Sequence, residues 1–209
     1  KAAADNNSIL CLGMDPVREQ IPLQGETEDV IVRFYRGIIE AVTAESSSIG
    51  AVKPNYSFYA QYGFPGLRAL EKVIQLCRSR KLPVILDAKR ADIGKTSAAS
   101  AREAFEFWKA DAVTIAPYMG SDSVMPFIDF CNQGRGVYIL VRTSNPGAAD
   151  LQNLPVKGKP LYMQTAAKLL EWHRKGTGAV VGATYPAELK NIAAFFSSSG
   201  KDVPLLIPG

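Results

Sequence analysis

Short apolar runs rich in β-branched residues alternate with longer segments of helical period along the whole chain, and this alternation limits the fold more than any other feature. The strand-like runs are Ser8–Asp15, Ile49–Asn55, Pro83–Arg90, Ala112–Tyr118, Gly136–Thr143, Gly178–Thr184 and Val203–Gly209. Helix-like segments fall between them: Glu28–Glu45, Gly66–Arg80, Ser97–Lys109, Ser123–Asn132, Leu161–Lys175 and Pro186–Ser198. In the first of these, Val30, Phe34, Ile38, Ala41 and Val42 recur at spacings of three and four, which places them on one helix face. Ser123 with Pro126, and Thr184 with Pro186, mark helix starts. Apolar strands each followed by a helix predict parallel βαβ units whose sheet is covered on both faces. Seven such strands favour a (β/α)8 (TIM) barrel over a doubly wound sheet, although alternation alone leaves both open.

Composition narrows the class further. The 209 residues are 47% apolar and 21% charged, which suits one globular domain and excludes a disordered or fibrous chain. No run approaches the roughly 18 apolar residues of a membrane helix. Lys1–Ser8 is polar and the apolar run Ile9–Leu12 too short for a secretory signal; with Lys in place of Met at the first position, the genetic start is expected upstream. Cys11, Cys77 and Cys131 form no closely spaced pair, so they predict buried thiols in a reducing, cytoplasmic compartment. A net charge of +4 with well-mixed signs gives no argument for nucleic acid. His173, the only histidine, excludes mechanisms that need two. No linker or composition shift divides the chain, and Asp150–Pro160 reads as a loop insert after the fifth strand.

Both parallel architectures collect functional groups at the C-terminal ends of strands. Those ends read Gly13-Met14-Asp15-Pro16, Lys53-Pro54-Asn55, Asp87-Ala88-Lys89-Arg90-Ala91-Asp92, Pro117-Tyr118, Arg142-Thr143-Ser144-Asn145, Gly182-Ala183-Thr184 and Pro208-Gly209. In the third strand, alternation along a regular pleat sends Asp87 and Lys89 to the same side. Because one buried charge is expensive, the two are expected to pair, with Lys53 as a further cation and Asp92 following at the loop-to-helix junction. Such a Lys–Asp–Lys–Asp row is either a structural ion network or a functional cluster, and charges gathered in a cleft are more often functional.

A lysine held between carboxylates is a fixed cation and a proton donor, which suits a reaction that builds negative charge on carbon and then protonates it. The carboxylates also disfavour a substrate carboxylate more than the neutral CO2 it would become. Decarboxylation follows most directly. A Schiff-base lyase using Lys53 or Lys89 is the other option, but it needs a neutral lysine, and neighbouring carboxylates hold lysine protonated.

The segment Asp87-Ala88-Lys89-Arg90-Ala91-Asp92-Ile93-Gly94-Lys95-Thr96 resembles the DxKxxDI…T signature of the orotidine 5′-monophosphate decarboxylases. Lys53-Pro54-Asn55-Tyr56-Ser57-Phe58-Tyr59, Ala116-Pro117-Tyr118-Met119-Gly120, Arg142-Thr143-Ser144-Asn145-Pro146-Gly147 and Val181-Gly182-Ala183-Thr184 are similar to the type 2 branch of that family. The resemblance runs from Leu10 to the last residue. It implies decarboxylation of orotidine 5′-monophosphate to UMP, the last step of de novo pyrimidine nucleotide synthesis, with neither metal nor organic cofactor. By the same resemblance Lys89 protonates C6 of the pyrimidine, Asp87 stands against the substrate carboxylate, and Lys53 holds Asp87 and a ribose hydroxyl. Asp92 and Thr96 reach the substrate of the second subunit of a homodimer, Asp15 binds ribose, and Ser144 contacts the pyrimidine ring. A metal-dependent sugar-phosphate decarboxylase of the same superfamily and a catalytically silent nucleotide-binding barrel are the alternatives.

Family members carry a phosphate-gripping loop beyond the strand that ends Ile207-Pro208-Gly209, and here only Pro208 and Gly209 border that site. Seven strands and six helices also fall short of the eight of each, in about 250 residues, that a closed barrel needs. The expectation is a single (β/α)8 domain over residues 1–209, C-terminally incomplete, with the eighth strand and final helices missing.

Overall fold

The computed structural model describes residues 8–44 and 49–209. Residues 1–7 of the polar opening and Glu45, the expected end of the first long helix, lie outside them. A strand falls on each of the seven expected apolar runs, the sixth beginning one residue early at Thr177: β1 (Cys11–Met14), β2 (Ala51–Pro54), β3 (Ile85–Arg90), β4 (Ala112–Ile115), β5 (Gly136–Arg142), β8 (Thr177–Val181) and β9 (Leu205–Leu206). The loop insert is more ordered than expected. It ends the short helix α6 (Ala149–Gln152) and then forms an antiparallel hairpin of β6 (Pro155–Val156) and β7 (Lys159–Pro160). Its two turn residues, Lys157 and Gly158, both have positive φ (51° and 75°), the backbone signature of a tight hairpin turn.

Helices occupy the remaining segments: α1 (Thr27–Ala44), α2 (Tyr56–Ala60), α3 (Gly63–Ser79), α4 (Gly94–Arg102), α5 (Ser121–Ile128), α7 (Leu161–Trp172) and α8 (Pro186–Ser198). The segment expected as Ser97–Lys109 is α4 followed by a π-helical turn, Glu103–Phe107. Ser123 does not start its helix. That helix begins at Ser121 after Gly120, and Pro126 lies inside it. Thr184 is likewise no cap, because Tyr185 occupies the position before Pro186. The buried face of α1 also differs from the expected stripe: it is Val30, Ile31, Tyr35 and Ile39. The helix is apolar over a broad arc, and the packed centre of that arc lies one residue beyond Phe34 and Ile38.

The described residues form two compact units, one running up to Ala88 and including Ala104–Ala112, the other Lys89–Glu103 with Val113–Gly209. In the first, β1 and β2 pair in parallel from Cys11↔Ala51 to Met14↔Pro54. Parallel bridges Val52↔Val84 and Asn55↔Asp87 extend the pairing to β3. Helices α1 and α3 pack together there, burying Leu70, Val73 and Ile74 of α3 beside the α1 face. In the second unit β5, β8 and β9 are successive neighbours in parallel. The register of β5 against β8 slips between Leu140 and Arg142, so Val141 and Arg142 are both buried where alternation would expose one.

Candidate functional site

Two of the expected site residues meet in the first unit. Lys53 Nζ donates to Asp87 Oδ2 at 2.9 Å, and the side chains are 15% and 7% exposed. The parallel bridge Asn55↔Asp87 sets this meeting, because it aligns the C-terminal end of β2 with the middle of β3. Asn55 is itself occupied, its Oδ1 accepting from Ser57 N at 3.2 Å as the cap of α2. Burial works against the Lys53 charge, yet the hydrogen bond and charge of Asp87, reinforced by Asp15 and Cys11, lift its pKa above the ordinary lysine value. That environment favours the protonated lysine over the neutral form a Schiff-base nucleophile needs. Asp15 itself is exposed, one residue beyond the end of β1.

Lys89 departs from the geometry expected of it. Its φ is 44°, so the regular pleat that would carry it to the same side as Asp87 is interrupted at this residue, and Lys89 is exposed where burial was expected. A left-handed backbone at a residue with a side chain costs on the order of 1–3 kcal/mol and persists only when its surroundings enforce it. Those surroundings belong to the second unit. The Lys89 N–H donates to Thr114 Oγ1 at 3.0 Å. The next residue, Arg90, accepts from Ala116 N at 2.9 Å through its carbonyl and grips both oxygens of Glu103 at 2.6 and 2.7 Å. Asp92 is half-buried at the entry to α4, its Oδ1 accepting from Ile93 N at 2.8 Å, and Thr96 is exposed in the first turn of that helix.

Ser144 lies just past β5, wedged against β8. A Cβ at Gly182 would stand 2.8 Å from both Cα and Cβ of Ser144, so only glycine fits there. Gly182 N donates to Arg142 O at 2.8 Å, and the next amide, Ala183 N, donates to Pro208 O at 2.9 Å. Ser144 and Pro208 are thereby placed past the ends of β5 and β9, the two strands that flank β8, with Gly209 exposed beyond them.

Behind Ser144 is a buried knot that sequence reasoning missed. Arg142, 1% exposed, bonds Glu188 through Nε and Gln152 Oε1 through Nη1 at 3.3 Å. Gln152 also accepts from Thr143 N at 2.9 Å and donates to Thr143 Oγ1 at 2.7 Å, and Thr143 Oγ1 in turn donates to Asn145 Oδ1 at 2.7 Å. The guanidinium carbon is 4.4 Å from the ring centre of Tyr185 and 5.7 Å from that of Tyr162. The available signal was an arginine closing an otherwise apolar run, Gly136–Arg142; its partners come from distant segments and leave no local pattern. Thr114, 2% exposed within a wholly buried strand, carried a similar and equally faint signal.

Comparison with known proteins is consistent along the chain. The model of the orotidine 5′-phosphate decarboxylase / HUMPS family matches residues 8–209. A relative from Thermomicrobium roseum named orotidine 5′-phosphate decarboxylase is 45% identical over 212 residues, covering 99% of this chain and 72% of its own length. One of the same name from Bordetella avium is 44% identical, covering 100% of this chain and 75% of itself. The solved structure of Leishmania donovani OMP decarboxylase superposes with a TM-score of 0.85 at 35% identity, covering 100% of this chain and 78% of its own.

Proposed function

The chain belongs to the orotidine 5′-phosphate decarboxylase / HUMPS family, and on that premise we propose how its own side chains carry the reaction. The reaction is decarboxylation of orotidine 5′-monophosphate to UMP, the last step of pyrimidine nucleotide synthesis, and the fold is the (β/α)8 barrel of that family. The observation that carries the mechanistic reading is the part-buried ion pair between Lys53 of β2 and Asp87, which stands two residues before Lys89 on β3.

In this reading Asp87 stands against the substrate carboxylate, whose conversion to neutral CO2 relieves the repulsion between two anions. The bond from C6 to the carboxyl carbon breaks, CO2 departs, and the electron pair stays on C6. The Lys89 ammonium stabilises that charge and then donates its proton to C6, regaining one from solvent. Lys53 holds Asp87 and a ribose hydroxyl, Asp15 binds ribose, Ser144 contacts the pyrimidine, and Pro208 and Gly209 border the phosphate. No metal or organic cofactor takes part.

Residues 8–209 act as one barrel domain, a reading supported by the single family model that spans them. The enzyme works as a homodimer in which Asp92 and Thr96 reach the ribose of the partner's substrate; exposed Ile93 and Tyr118, 54% and 84% accessible, offer apolar surface for such an interface. Its compartment is the cytoplasm, in keeping with three cysteines that form no disulfide. No helix among the described residues is long and apolar enough to cross a membrane.

Purified protein should convert orotidine 5′-monophosphate to UMP at the same rate with and without EDTA, and Lys89→Ala should abolish turnover. Loss of activity in EDTA would favour a metal-dependent sugar-phosphate decarboxylase. Tight UMP binding without turnover would favour a silent nucleotide-binding barrel. Mixing inactive Asp92→Ala and Lys89→Ala proteins should restore some activity through hybrid dimers, and no recovery would rule out shared sites.

A further inference from the structure

We propose that Thr114 is a positioning residue for the proton donor: its buried hydroxyl holds Lys89 in the left-handed backbone conformation from which that lysine acts. The proposal rests on the reading of Lys89 as proton donor.

Three observations converge on this threonine. First, β3 and β4 do not run in step. Val84 O accepts from Ala112 N at 3.1 Å and Arg90 O from Ala116 N at 2.9 Å. The chain therefore advances six residues, 84 to 90, on one side while advancing four, 112 to 116, on the other. The surplus has to be absorbed as a bulge, and such bulges re-aim the side chains they carry. Second, the positive φ of 44° falls at Lys89, inside this stretch. Third, the Lys89 N–H finds its acceptor in a side chain, Thr114 Oγ1 at 3.0 Å. Thr114 is 2% exposed in a strand whose four residues are all buried.

A valine would fill the same volume and suit a buried strand better, since a buried hydroxyl is costly unless it is hydrogen-bonded. What the hydroxyl adds is an acceptor for an amide displaced by the bulge. Without it, the cheapest relaxation for Lys89 is rotation of φ back toward the extended region. That rotation carries its ammonium away from the position set by the bulge. A displacement of about 1 Å in a reacting group can reduce turnover by about 10²-fold.

Thr114→Val and Thr114→Ser, assayed beside Lys89→Ala in the full chain, separate the possibilities. Thr114→Val is expected to lower kcat by roughly 10- to 100-fold with KM changed less than about threefold, while Thr114→Ser, which keeps the acceptor, stays within about threefold of the parent. A Thr114→Val protein with lowered Tm but parental kcat would overturn the proposal. So would a Thr114→Ser protein as impaired as Thr114→Val. If Thr114→Val does not fold, Thr114→Ala set against Thr114→Ser carries the same comparison. Persistent turnover in Lys89→Ala would instead remove the proton-donor reading, and the inference with it.

Discussion

Two cations, Lys53 half-buried and Arg142 fully buried, stand near strand ends in this molecule, and they are held differently. Lys53 is 15% exposed and is ion-paired with Asp87. Arg142 is 1% exposed, is tied to Glu188 and Gln152, and lies against two tyrosine rings. Its Nη2 has no hydrogen-bond partner among the described residues, a cost of about 1–3 kcal/mol that the aromatic faces offset in part. The contrast separates two uses of a buried charge. The lysine pair keeps some access to solvent, as a group that meets substrate must. The arginine is closed off on every side, so it acts only through the backbone it holds.

The largest effects should fall on this contrast. Lys53→Met removes the 2.9 Å ion pair with Asp87; on the proposed mechanism, kcat/KM is expected to fall by at least roughly 10²- to 10³-fold in a steady-state assay. Arg142→Met should act the other way round. Removing one partner of a buried pair costs up to about 3–5 kcal/mol, and the lower figure applies here because Glu188 is 23% exposed and can hydrate. At about 2–4 °C per kcal/mol for a chain of this size, Tm should drop by about 10 °C, with kcat held within about tenfold. A parental Tm in Arg142→Met, or near-parental kcat/KM in Lys53→Met, would break the distinction.

The same contrast explains what the sequence could reveal. Lys53 and Asp87 were legible because strand ends in a parallel sheet collect function, and both residues lie inside local segments that name those ends. The Arg142 knot was not, since Gln152, Tyr162 and the pair Tyr185 and Glu188 come from three separate places and only the fold unites them. Lys89 lay between these cases. Its identity was readable, whereas its φ of 44° was not, because the mismatch in advance between β3 and β4 is a property of two strands together. The stripe on α1 erred for a related reason: periodicity fixes that a helix has an apolar arc, and only packing against α3 chooses its centre.

A smaller effect should sharpen the arginine side. Gly182→Ala puts a methyl 2.8 Å from Ser144 Cα and Cβ, contacts that side chains do not make. The β5 end is anchored by Arg142 and Gln152, so Ser144 cannot retreat freely, and overpacking of this kind typically costs about 1–3 kcal/mol. We expect KM for orotidine 5′-monophosphate to rise about tenfold while Arg142, and with it most of the stability, is untouched. An unchanged KM would show that Ser144 does not need its present position.

The smallest effect is a pH dependence, and it probes the lysine side alone. Burial opposes the Lys53 charge, but Asp87, Asp15 and Cys11 together raise its pKa above the ordinary lysine value. A raised folded-state pKa means that folding favours the protonated form. The stabilisation is therefore fully present below the unfolded lysine pKa of about 10.4 and is lost as pH climbs through the folded value. The buried tyrosines Tyr35 and Tyr59, whose pKa values burial also raises, lose stability in the same alkaline range. They do so equally in the parent and in Lys53→Met, but Cys11 does not, because Lys53 opposes the rise that burial gives its thiol pKa; with Cys11→Ser in both proteins, the difference in Tm isolates the pair. That difference should stay level from pH 7 to about 9.5 and shrink above it. A difference that shrinks on the acid side of neutrality instead would place the controlling titration on a carboxylate and remove Lys53 as the group that sets the pair's strength.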